Sequence, residues 1–594
     1  MQHPKVEDDD SDAELDLEVD ELLNRDRSSN DVPSDGEFGI DGREPSDLEK
    51  RTLRRVPDAL PKSAFLVAIV ELCERFAYYG LSGPFQNYIS NKYNDPNGNP
   101  GALGLGQTSA TGILNFFQFW CYCTPIVGAI VADQYLGKYL TIVYFSIIYM
   151  IGIVVLFFTS LPYAIEHGIA LPGLIASMIV IGLGTGGIKA NVAPLIAEQY
   201  RGTRAYVKTR NNGERVIVDP ATTIQRIYMV FYLCINIGSL SATLTTTLEK
   251  HVGFWSAYLL PLIAFGIGFV ILIGGKKKYV VRPPQGSVIV HCGKAIWIAL
   301  RNGGDINAAK PSHQRNVGKG YNTPWDDIFI EELKRAFIAC KVFLVYPVYW
   351  CVFSQLLTNF VSQAGQMELH GIPNDIMQNL DPLALVIIIP ILDRVGYPLL
   401  RRCGFPMLPM TRIFLGFLLG SLAMAYAAFV QHQIYAAPPC YGAPLKCDAA
   451  RQPDGSILHN KVHVALQTPA YLILALSEVF ASVTGLEFAY TKAPASMKSF
   501  IMSLFLLTSA GGSLLGALVS PFANDPNLVG LYIGIGTVCF ISGLVFWALF
   551  RKYNDAEESL NDLDHIIDKV AVVRGVPELA VPLQSLRNKY EGSS

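Results

Sequence analysis

Charge is what this chain has least of. Only 16% of its 594 residues are Asp, Glu, Lys or Arg, against about 25% in an average soluble protein. That deficit excludes a chain dominated by solvated surface. The 47 Lys and Arg nearly balance the 50 Asp and Glu, leaving a formal net charge of −3. No basic excess therefore speaks for nucleic-acid binding. The eleven Cys lie mostly in apolar runs such as "FWCYCTP". They lack metal-ligand spacing and read as small apolar residues, so no metal site is expected. No nucleophile–base pair or nucleotide fingerprint supports an enzyme, and no catalytic residue is assigned. "GLGTGG" (182–187) superficially resembles a phosphate loop. It follows no strand and lies inside an apolar run, so glycines that let helices pack closely are the better reading.

What is abundant is apolar surface. Hydrophobic residues make up 51% of the chain, and the mean hydropathy is +0.31. That combination predicts an all-α integral membrane protein in contact with the lipid bilayer. A bilayer span needs about 20 mostly apolar residues. Twelve runs qualify: 64–89, 108–131, 139–161, 169–197, 224–247 and 253–275, then 336–362, 380–400, 410–431, 462–490, 498–521 and 527–550. The expected domains are a disordered acidic tail (1–60), a six-helix bundle (61–275), a polar connector (276–334), a second six-helix bundle (335–550) and a C-terminal tail (551–594). A surface helix is expected near "GKAIWIALRN" in the connector. "GAIVADQYLGKY" and "IPILDRVGYPLLRR" form a weak internal repeat, each with an Asp at the end of a span. Two such halves around a midplane site suit alternating access.

Basic residues set the orientation. Lys138, Arg201, Arg204, Lys276, Lys277, Lys278, Arg401 and Arg402 follow even-numbered helices, so both termini are expected in the cytoplasm. Lys446, Arg451 and Lys461 in the 432–461 loop weaken that count without reversing it. This loop then lies outside, where Cys440 and Cys447 are candidates for a disulfide. The opening residues do not read as a signal peptide. The acidic stretch "EDDDSDAELDLEVDELLNRD" is either a solvated spacer or a site for regulatory partners.

The few charges inside the spans stand out, because each costs at least about 2.5–3.5 kcal/mol at the bilayer centre. "ELCERFAYYG" (71–80) carries Glu71, Glu74 and Arg75 in the first span. At 3.6 residues per turn they share one stripe with Tyr78, and Tyr79 lies beside it. The triplet is either an ion cluster that locks packing or a protonatable group whose neutralisation releases Arg75. Lys189 in helix four and Glu478 in helix ten are isolated opposite charges in different halves, a natural gate salt bridge. Glu487, nine residues further on, reads as a packing ion pair. Asp381 precedes Pro382 and reads as a helix N-cap.

These residues make the chain resemble the proton-dependent oligopeptide transporter family of the major facilitator superfamily, in particular its fungal di/tripeptide permeases. "ELCERFAYYG" matches the family's E-x-x-E-R-F-x-Y-Y pattern. "GAIVADQYLGKYLTIV", "FYLCINIGSL" (231–240) and "GLEFAYTKAPASMKS" (485–499) resemble further family stretches in the same order. The resemblance implies a major facilitator fold and import of di- and tripeptides with protons, driven by the proton gradient without a cofactor. It implies proton coupling by Glu71, Glu74 and Arg75. It implies a peptide site of Arg75, Tyr79, Tyr122, Lys189, Tyr232, Asn236, Trp350, Asp381, Tyr471, Glu478 and Phe505, with Glu478 near the peptide amino group.

Four positions depart from patterns within the family. Ser82 stands where animal and many bacterial members have a second Arg, Asn115 where animal members have a helix-two His, Asp381 where a family Asn lies near the peptide amine, and Phe505 where a pocket Trp aligns. The third departure recasts Asp381 as a second anion for the ammonium. Two other readings remain: a carrier of the same fold for nitrate or another small organic acid, and a nutrient receptor that does not transport.

Overall fold

The computed structural model describes residues 43–46, 49, 52–94, 99–202, 204–210, 213–284, 286–317, 323–403, 407–444, 447–450, 458–492 and 498–552. The expected tails fall largely outside this set, at 1–42 and 553–594. Among the described residues, ten helices are long and apolar enough to cross a membrane. They are Gly106–Leu136, Lys138–Thr159, Ala170–Glu198, Thr222–His251, Phe254–Gly274, Lys341–Ala364, Pro409–Ala436, Val464–Phe488, Phe500–Phe522 and Leu528–Phe550. Two further helices sit at the positions expected for helices one and eight. Helix one is Lys62–Ser82. Helix eight is built from Leu380–Ile391, Leu392–Gly396 and Tyr397–Arg402. Helix one carries Glu71, Glu74 and Arg75 inside its apolar run, and helix eight is interrupted by its π-helical turn.

Each half has its own apolar core. Val67, Phe117, Tyr149, Ile181 and Phe265 belong to the first. Tyr346, Phe417, Tyr471, Phe505 and Phe546 belong to the second. The sequence repeat has a structural counterpart, because helix two ends in a π-helical turn, Ala132–Leu136, and helix eight contains one, Leu392–Gly396. Each turn contains the repeat's Asp, Asp133 or Asp393. A third π turn, Val479–Val483, directly follows Glu478. Such one-turn bulges recur at functional sites because they re-aim neighbouring side chains.

Glycines in "GLGTGG" are packing glycines. A Cβ on Gly186 would lie 2.5 Å from Thr124, and one on Gly187 2.0 Å from Phe145, so helix four packs backbone-close on helices two and three. In the connector, Val288–Arg301 forms the expected helix. It turns Cys292, Ala295 and Ile298 into the second core and leaves Trp297 and Leu300 exposed. Cys440 and Cys447 are joined, with S–S 2.07 Å.

The described residues of 43–59 and of 202–225 form a separate compact unit. This corrects the expectation that residues 1–60 are disordered throughout. Strand Arg55–Val56 pairs in parallel with Arg215–Val218, which pairs antiparallel with Tyr206–Thr209. Val56, Val216 and Val218 bury a small apolar cluster. Glu49 accepts from Arg43 and Arg215, each at 2.6 Å. The tail therefore contains a strand whose partner is some 160 residues away, a pairing no local pattern announces.

Candidate functional site

Helix one presents its charges inward, as the stripe requires. Glu71, Glu74 and Arg75 are 3%, 1% and 5% exposed. Both acids meet the same guanidinium nitrogen: Arg75 Nε lies 3.0 Å from Glu71 Oε1 and 2.6 Å from Glu74 Oε2. Glu71 Oε2 and Glu74 Oε1 have no hydrogen-bond donor. Helix five reaches this cluster through a glycine, since a Cβ on Gly238 would lie 2.7 Å from Arg75 Cβ. Ser241 Oγ also donates to Phe76 O at 2.8 Å. The "FYLCINIGSL" stretch is thereby explained as a close-contact surface for the charged segment.

Lys189 ends the glycine-rich helix and lies within electrostatic reach of Glu71, Glu74 and Arg75. Its Nζ sits 3.7 Å from the Tyr122 ring centroid and 6.0 Å from that of Tyr78. The π face supplies part of the negative field that a buried ammonium needs. Counting Lys189, the cluster around helix one gathers two acids and two bases, and so is neutral in itself.

The second half is not. Glu478 closes helix segment Thr468–Glu478, and Asp381 is the second residue of Leu380–Ile391. They are within electrostatic reach of each other. Glu478 Oε2 and Asp381 Oδ1 have no hydrogen-bond donor, and among the described residues no cation pairs with either. Lys189 and Glu478 are not joined in this structure, where the Lys189 ammonium lies over the Tyr122 ring. One expectation is corrected here. Asp381 is not an N-cap, since Asn379 occupies that position and Asp381 is buried one residue inside the helix.

Tyrosines from both halves surround these acids. Tyr79 and Tyr122 from the first half are within electrostatic reach of Glu478. Tyr232 is within reach of both Glu478 and Asp381, and Tyr471 of Asp381. Tyr471 packs edge-on to Phe360, with its hydroxyl unpartnered. Tyr232 is 47% exposed, and Asn236 Nδ2 donates to its carbonyl at 2.8 Å. Trp350 donates from Nε1 to Thr508 at 3.0 Å and packs on Phe505. Phe505 is itself wedged against Phe343 and Tyr346, so it belongs as much to the core as to a cavity wall. Asn115 donates to Thr111 O and packs against Gly516 at the contact of helices two and eleven. Ser82 donates to Tyr79 O. Glu487 lies 3.9 Å from Arg412, the packing pair anticipated for it.

Sequence reasoning missed Tyr349, buried and within reach of Glu478 and Asp381. It also missed the polar seam that joins the halves at the end away from the chain termini. There Gln86 donates to Ser362 at 2.9 Å, Gln107 to Asn359 at 3.1 Å, and Thr111 to Asn359 at 3.2 Å. Asn87 and Asn374 exchange a reciprocal pair at 2.8 and 2.9 Å. Lys250 donates to the carbonyls of Gly371 and Ile372. The available signal was a run of polar residues at span ends, such as "TTTLEK" and "PNDIMQN", too polar to face lipid.

Comparison with known proteins agrees with this architecture. The family profile "PTR2: POT family" matches residues 139–538. The chain is 52% identical over 540 residues to "Peptide transporter PTR_C" of Candidozyma auris, covering 91% of this chain and 92% of that one. It is 49% identical over 547 residues to "Peptide transporter PTR2" of Saccharomyces cerevisiae, covering 92% and 88%. Its fold matches the in meso crystal structure of the POT family transporter PepTSo with a TM-score of 0.65 at 22% identity, over 84% of this chain and 99% of that one.

Proposed function

As the chain belongs to the POT family, we propose that it is a proton-coupled symporter that imports di- and tripeptides by alternating access. One observation carries the reading: cations Arg75 and Lys189 stand in one half, while Glu478 and Asp381 stand without a cation in the other. A peptide is a zwitterion. Its ammonium would take the place missing beside Glu478 and Asp381, and its carboxylate would draw on Arg75 and Lys189. Tyr79, Tyr122, Tyr232, Tyr471, Trp350 and Phe505 offer aromatic surface to variable side chains, with Asn236 as a hydrogen-bond partner. Recognising the ends rather than the side chains gives broad specificity over a narrow length range.

Coupling follows from the cluster on helix one. A proton delivered to Glu71 or Glu74 neutralises one acid, loosens its hold on Arg75 and frees the guanidinium for the peptide carboxylate. No cofactor beyond the proton gradient is needed. The seam at the far end corresponds to a closed external gate, with the cavity opening toward the side of the termini, which we assign to the cytoplasm. The multi-pass chain then sits in the plasma membrane, and its acidic N-terminal tail is left for regulatory partners.

Vesicles containing the purified protein, given an inward proton gradient, should concentrate a labelled dipeptide and merely equilibrate it without the gradient. Glu74→Gln should retain peptide exchange but lose concentration. Uptake of nitrate or an organic acid that dipeptides do not inhibit would overturn the substrate assignment. Binding without uptake would point to a receptor instead.

A further inference from the structure

The seam contains a pair of acids that the helix-one mechanism does not use. Glu249 lies near the end of helix five, in segment Ser241–His251. Asp375 lies in the short helix Asn374–Asn379 that leads into helix eight. They come from opposite halves, are 3% and 0% exposed, and face each other carboxyl to carboxyl. Glu249 Oε1 accepts from Asn87 Nδ2 at 3.0 Å, the same amide that donates to Asn374 Oδ1 at 2.8 Å. Glu249 Oε2 and both Asp375 oxygens have no donor. A further orphan stands beside them: the Tyr258 hydroxyl is fully buried, unpartnered and within electrostatic reach of both acids.

We propose that Glu249 and Asp375 share one proton across the interface between the halves and so form a proton-binding latch on the gate remote from the termini. Two carboxylates in contact in a buried site repel and cannot both stay ionised. A single proton removes the repulsion and joins two of the three orphaned oxygens, bonded to one and donated to the other. Burial pushes the Asp375 carboxyl up from its ordinary range. The surroundings offset the pair's charge only in part. On helix five, Lys250 donates to the Gly371 and Ile372 carbonyls and stays within electrostatic reach of Asp375 without pairing with it, and His251 is exposed. From the second half, His459 Nδ1 is engaged with Gly365 O at 3.1 Å. Tyr471 is neutral and within reach of Asp375.

When the halves part at this end, water reaches both acids and the proton leaves. The closed gate therefore binds a proton that the open gate does not, and rising pH favours opening. The latch rests on the alternating-access reading above, but not on which solute is carried. It differs in kind from the helix-one cluster, which lies within one helix of one half.

The test uses the full chain in lipid nanodiscs without peptide. Spin labels carried by noncanonical residues replace Tyr163, in the short helix Pro162–Glu166, and Tyr441, in the turn after Pro409–Ala436, exposed residues of opposite halves at the far end. Pulsed electron resonance reads their separation in mildly acidic and mildly alkaline buffer. The parent's long-distance population should rise about fivefold or more on alkalinisation. Glu249→Gln and Asp375→Asn, which keep hydrogen-bonding amides but remove the like-charge repulsion, should each stay closed at both pH values. Either variant that folds decides the matter. A parent without a pH response, or a variant that keeps the parent's response, would overturn the latch. Because no peptide is present, either result leaves the uptake experiment to judge the transport reading separately.

Discussion

The two halves handle buried charge in opposite ways. In the first, Glu71, Glu74, Arg75 and Lys189 balance within one bundle, and Tyr122 seats the ammonium. In the second, Glu478 and Asp381 stand without a cation among the described residues. A balanced cluster is stable in an empty carrier and yields only when a proton changes its sum. An unbalanced pair is incomplete until something positive arrives, whether a proton or a substrate ammonium. On the proposed reading, the first half senses protons and the second attracts cargo.

The comparison breaks most severely if Arg75 is removed. Arg75→Leu leaves two buried acids uncompensated, a defect of about 3–5 kcal/mol. Thermal unfolding in detergent should shift sharply downward, and uptake should fall below detection. Arg75→Lys should recover folding but little transport, because an ammonium lacks the planar guanidinium fork with which the peptide carboxylate would pair. Uptake unaffected by either change would show that the cluster is packing alone.

Next in size is Glu478→Gln, which removes a charge-assisted contact to the ammonium worth about 1.5–3 kcal/mol. Competition assays should show free dipeptides weakened by about 10- to 100-fold, at about 1.4 kcal/mol per decade. Asp381→Asn should cost less, about 3- to 10-fold, because Glu478 remains as the nearer partner. A reversed order would move the main ammonium contact to Asp381. The smallest effect belongs to Tyr122→Leu. It removes a cation–π seat worth about 0.5–2 kcal/mol, and should weaken peptides with a free carboxylate more than their amides, through a displaced Lys189.

Much of this was legible before any coordinates, and the failures have physical causes. Apolar runs such as 410–431 and 527–550 lie inside Pro409–Ala436 and Leu528–Phe550, because a span's length is fixed by the bilayer. Helix one was readable because its charges share a stripe, but its end was not. The run 64–89 divides at Gly83 and Pro84 into Lys62–Ser82 and Phe85–Ser90. Pairing was the least legible feature. Lys189 and Glu478 look complementary in sequence, yet the Tyr122 face offers the lysine a partner that charge matching does not count. Glu249 and Asp375 lie some 125 residues apart with no local pattern linking them, and only the closure of the halves brings them together. The strand at Arg55–Val56 is too short to announce itself without its distant partner.

The most direct measurement compares binding of a free dipeptide and its N-acetylated form to the parent and to Glu478→Gln by calorimetry. If the second half's unpaired acids hold the peptide ammonium, the substitution weakens the free peptide by about tenfold or more and leaves the acetylated one unchanged. Equal losses for both would contradict the account.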